Sequence, residues 1–107
     1  RLSIAHDSHN IQVFASSGQA DAYADGVYPF ASGAVFVKIL YSDPECADLA
    51  AYVAMRKGAP GTAPEAGDWE WQGVDAAGKV LQSGPLSSCI SCHKSCTEGR
   101  DFTCADP

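Results

Sequence analysis

Basic residues are scarce in this chain. Seven Lys and Arg stand against 13 Asp and Glu, for a formal net charge of −6. No basic run occurs, which argues against nucleic acid or anionic lipid as a partner. No apolar stretch approaches the roughly 20 residues of a membrane-spanning helix. No signal peptide is visible; Arg1 opens in ordinary sequence, so the chain reads as mature or trimmed. Internal repeats and low-complexity tracts are missing too. Methionine occurs once, at Met55. With 107 residues the chain is too short for a two-domain enzyme with a deep cleft. It has room for one domain, residues 1–107, around a modest core that a cofactor or crosslinks would help.

What is present is mostly strand. Ile11–Phe14 alternates. Ser16–Asp25 reads as a short helix, with Ser16 or Ser17 as cap and Gly26 as stop. Ala34–Tyr41 (AVFVKILY) is the strongest strand, and apolar residues on both sides predict burial of both faces. Val35, Val37, Ile39 and Tyr41 share one side; Phe36, Lys38 and Leu40 share the other. Leu49–Lys57 fits helix or strand, and strand is favoured. Residues 58–67 form a loop by composition. Asp68–Val74 places Trp69 and Trp71 on one face, Asp75–Gly78 makes a hairpin turn, and Lys79–Gln82 returns. A short helix over Leu86–Lys94 follows. The expected class is α+β: mainly antiparallel sheet, a few short helices, and a cysteine-bearing helix near the C-terminus.

That last helix carries CISCHK. Cys89-Ile90-Ser91-Cys92-His93 fits the C-x-x-C-H pattern of covalent haem c attachment. Two thiols three positions apart, on one helical turn, can form thioethers to the two vinyl groups. The adjacent imidazole then reaches the iron. A four-thiolate zinc site from Cys89, Cys92, Cys96 and Cys104 is an alternative. An iron–sulfur cluster fits the spacing poorly. A disulfide-laced tail is the plain structural reading. With haem on Cys89 and Cys92, three cysteines remain. Cys96–Cys104 would staple the tail under the helix; Cys46–Cys96 and Cys46–Cys104 stay open. Haem c attachment and disulfides both place the protein in the periplasm or another exported compartment.

The sixth iron position separates electron transfer from ligand binding. Met55, His6, His9 and Lys38 are candidates. Met55 in an apolar segment reads first as core, and His6 and His9 as solvated residues near a terminus. Lys38 stands out. A charged lysine between Val37 and Ile39 is costly to bury. It either snorkels at a sheet edge or sits in an apolar pocket as a neutral amine, a nucleophile.

SGAVFVKIL, the GDWEW segment, CISCHK and RDFTCADP, in that order and spacing, resemble the cytochrome P-460 family, which shares its fold with the cytochromes c′-beta. The resemblance runs from about Ile11 to the C-terminus. It implies a mainly β fold, a homodimer and a five-coordinate haem c with His93 as proximal ligand. Lys38 falls at the position of the family's lysine that is crosslinked to the macrocycle. Members with the crosslink oxidise hydroxylamine, some with nitric oxide to nitrous oxide, and pass electrons to an external acceptor such as another cytochrome. The cytochromes c′-beta bind nitric oxide in an apolar pocket. Phe36, Val53 and Met55 are the expected distal wall, with core packing as their alternative role. Val53 falls near the family's distal carboxylate, a proton relay, and Tyr52 beside it would face away. This weighs against hydroxylamine turnover.

Overall fold

The computed structural model describes residues 2–3, 9–16, 18–96 and 100–104. Among these, six strands form one antiparallel sheet in sequential order. They are β1 (Leu2–Ser3), β2 (His9–Ala15), β3 (Val35–Tyr41), β4 (Leu49–Lys57), β5 (Trp69–Asp75) and β6 (Val80–Gly84). Two short helices, α1 (Gln19–Asp25) and α2 (Ser87–Lys94), complete the α+β fold. No described helix is long and apolar enough to cross a membrane.

Alternation and register divide the sheet into two unequal faces. Phe36, Met55 and Trp71 pair across β3, β4 and β5. Val13, Lys38, Val53 and Gly73 form the next row on the same face. This front face holds the core. Phe30 packs edge-on against Phe36, with ring centroids 4.9 Å apart, and Tyr23 of α1 meets the same ring at 5.3 Å. Trp69 and Trp71 are the largest fully buried side chains. An aromatic of this size buries about 150–250 Å², worth roughly 4–6 kcal/mol at about 25 cal/mol per Å².

The back face corrects one expectation. Only Phe36 and Leu40 of β3 are buried; Val35, Val37, Ile39 and Tyr41 are half-buried. Both helices pack on the front face, so among the described residues the strand is buried on one face. The ambiguous segment Leu49–Lys57 is strand, because β3 and β5 pair with it on either side.

The cap of α1 differs as well. Gly18, at φ 82°, occupies the N-cap with no side-chain hydrogen bond. Ser16 is instead used across the chain: its Oγ accepts the Val35 amide at 3.1 Å and ties α1 to β3. Ser17 lies outside the described residues. Gly26 ends the helix as expected, in the left-handed region. At the hairpin, Asp75 Oδ1 accepts the amides of Ala77 and Lys79.

Candidate functional site

α2 lies over the front face, with Leu86, Cys89 and Ile90 packed against the core cluster. Helical spacing puts Cys89, Cys92 and His93 within one turn, beside the sheet. A groove of about 450 Å³ opens there. Its walls include Leu40, Val53, Trp71, Leu81, Cys89, Cys92 and His93. Gly73 closes the Lys38–Val53 row and lines the groove, where the Gln82 side chain lies over it. A small adjoining cavity of about 30 Å³ is lined by Val13, Phe36, Lys38, Val53, Met55, Trp71 and His93. Phe36, Lys38, Val53, Met55, Cys89, Cys92 and His93 each line one of these two adjoining spaces.

His93 is buried, and its ring is oriented. Nδ1 lies 2.7 Å from the Phe102 carbonyl oxygen. A carbonyl can only accept, so Nδ1 carries the proton and the Nε2 lone pair is left available. Burial pushes the imidazole below its ordinary pKa; the bond to Phe102 opposes this, and the charge of Lys38 adds to it. His93 is thus held neutral, the form that ligates metal. Cys89 and Cys92 are free thiols. Burial raises the Cys89 thiol above its usual pKa.

Lys38 sits mid-strand on β3, an interior strand of the sheet, so the sheet-edge reading of this lysine falls. It is half-buried, and its register partners are Val13 and Val53. Tyr52 pairs with Ile39 and Val74 on the other face, as alternation requires. Met55 is buried and lines the small cavity. His9 opens β2, and its side chain lies outside what the structure describes; His6 lies outside it altogether.

Cys96 is bonded to Cys104, and Cys46 is free. The disulfide removes two of the four thiolates a zinc site would need. It also disposes of a second metal geometry, the close group His93, Cys96 and Cys104. Two of those three ligand atoms are spent in the disulfide, and His93 Nδ1 faces a carbonyl.

The remaining donor set fits a covalently held haem c. Two free thiols stand three residues apart on a helix, and the adjacent imidazole has its Nε2 lone pair to give. The groove walls are mostly apolar, with Gln72, Gln82 and Ser88 among them, and Leu81, which also lines the groove, is 63% exposed, an apolar surface that a macrocycle would cover. The Trp71 indole Nε1–H is buried without a partner among the described residues, so one donor there awaits an acceptor.

The cytochrome P460 profile matches residues 3–104. The chain belongs to the cytochrome P460 family. No curated protein matches it. The family is associated with haem c, in agreement with the donor set just described.

Sequence reasoning missed two parts of this candidate site. Trp71 lies with its ring centroid 5.6 Å from that of His93. Its alternation with Trp69 marked the right face, but nothing marked it as a neighbour of the histidine. The Phe102 carbonyl left no sequence signal, because the contact is made by backbone.

Proposed function

We propose that the chain is a single haem c domain, residues 1–107, in which Cys89 and Cys92 carry the haem as thioethers. His93 Nε2 ligates the iron, and the sixth position is open. The observation that carries this reading is the His93–Phe102 hydrogen bond. It leaves Nε2 as the free nitrogen of a neutral imidazole, one residue from the second thiol.

Haem iron supplies a ligand site and an electron-accepting centre. The chain supplies the surroundings. Phe36, Val53 and Met55 make an apolar wall that excludes water from a small ligand. Lys38 projects from the same face, and the family pattern makes it the crosslinking residue. The substrate class is small nitrogen compounds, with hydroxylamine oxidation as the activity and another cytochrome as electron acceptor. An exported or periplasmic location follows from haem c attachment together with a disulfide. A homodimer would bury the half-exposed back face, where Val37, Ile39 and Tyr52 lie near Phe14, itself 51% exposed.

A second reading is nitric oxide binding without turnover. Val53 favours it: the side chain opposite Lys38 cannot accept a proton. A six-coordinate electron carrier, with Met55 as sixth ligand, is the third.

The dithionite-reduced absorption spectrum of protein made in a haem-maturing host tests these readings. A Soret band far to the red of an ordinary cytochrome c supports the crosslink, and Lys38→Ala should then return it to the ordinary position. An ordinary high-spin spectrum favours nitric oxide binding, and a low-spin one the electron carrier. A preparation with no covalent haem ends the proposal.

A further inference from the structure

Two consecutive residues behind His93 adopt a conformation that bulky side chains avoid. Asp101 has φ 48° and Phe102 has φ 66°. Neither is glycine, and left-handed pairs of this kind persist only where the surroundings over-determine them. The surroundings here converge on the Asp101 side chain. Both of its oxygens accept from Lys57 Nζ, at 2.7 and 2.8 Å. Oδ2 also accepts the Phe30 amide at 2.8 Å. The Asp101 carbonyl takes the Trp69 indole N–H at 2.9 Å. Lys57 Nζ lies 5.2 Å from the centre of the Trp69 ring. The lysine and aspartate side chains are only 12% and 8% exposed.

The next residue is the one that meets His93. Phe102 presents its carbonyl to Nδ1, while its ring lies against Gly67. A Cβ on Gly67 would come within 2.6 Å of that ring, and Gly67 itself has φ 61°. Asp101 and Phe102 lie in a strap, residues 100–104, closed on the far side by Thr103, which donates through N and Oγ1 to the Arg100 carbonyl, and by the Cys96–Cys104 disulfide.

We infer that Asp101 is a positioning residue for His93: clamped by Lys57, Phe30 and Trp69, it fixes the strap whose next carbonyl orients the imidazole. The inference rests on the reading of His93 as the iron ligand. Ion pairs taken out of water are inefficient stabilisers of a fold. Holding a strained backbone in one place is a better account of this one. The consequence reaches the metal, because a hydrogen bond at Nδ1 raises the basicity of Nε2. Asp101 lines neither the groove nor the adjoining cavity; it acts through a backbone carbonyl one residue away.

The test uses haem-loaded protein and the iron–histidine stretching frequency of the ferrous state, read by resonance Raman. Asp101→Asn and Lys57→Gln should both lower that frequency and raise the midpoint potential, because the imidazole donates less. Lys57→Arg keeps the ion pair and should restore the original values. Folded, haem-loaded Asp101→Asn and Lys57→Gln with an unchanged frequency would overturn the inference and leave the haem reading standing. Wild-type protein without an iron–histidine mode, or without haem, overturns both. If neither variant accumulates, wild-type protein in its carbon monoxide form decides by NMR. Slow exchange of the His93 Nδ1 proton with solvent supports the strap's role, and fast exchange refutes it.

Discussion

Lys38 and Val53 are direct register partners on β3 and β4, and both line the cavity that reaches His93. A lysine and an aliphatic side chain thus share this row, and no carboxylate lines the cavity among the described residues. The pairing sets the first prediction.

Val53→Glu should raise hydroxylamine oxidation. A well-placed general base contributes about 10²–10⁴-fold. The glutamate would share a row with Lys38, within reach of the same cavity. Steady-state turnover with an artificial electron acceptor measures it. An unchanged rate in folded, haem-loaded protein would mean that proton transfer is not what limits the wild type.

Before haem is attached, acid should weaken the fold through His93. Its folded pKa lies below the ordinary 6.5, so the unfolded chain binds more protons between the two values. The stabilisation is complete above the ordinary imidazole value and is lost as pH falls toward the folded one. Urea midpoints of haem-free protein, taken at about pH 7 and about pH 5.5, should differ more for wild type than for His93→Gln. Equal slopes in the two proteins would assign the acid response to the carboxylates.

The disulfide spans eight residues of sequence. Closing a loop of that size is worth about 2–3 kcal/mol by the chain-entropy estimate. Replacing both Cys96 and Cys104 by Ser should lower unfolding free energy by that amount. The strap should also loosen, since Cys104 Sγ lies 3.8 Å from His93 Nδ1. Denaturant unfolding of the double variant checks the first claim, and the exchange rate of the Nδ1 proton checks the second.

Much of this site was legible in the sequence because its signals are local. C-x-x-C-H sets two thiols and an imidazole within five residues, and one turn of α2 brings them side by side. Alternation in AVFVKILY put Phe36 and Lys38 on one face, and alternation in DWEW put Trp71 on the corresponding face of β5. The failures are non-local. Ser16 looked like a helix cap, but its hydroxyl serves the Val35 amide 19 residues away. The β3 back face looked buried because its residues are apolar, and apolar composition does not say what covers a surface. Asp101 read as one acidic residue among 13; its partner Lys57 is 44 residues distant, and no spacing rule joins them.

The groove draws its two sides from separate parts of the chain. α2 supplies the thiols and the imidazole proposed to hold the cofactor, and the strap behind it orients that imidazole, while β3, β4 and β5 supply the opposite wall, with Lys38, the proposed crosslink, on it. Because the sheet is a simple meander, a wall residue can change without moving the grip. Chemistry and tenure are therefore separately mutable. On the proposed reading, single replacements along one sheet row would be enough to move such a scaffold between holding a ligand and turning it over.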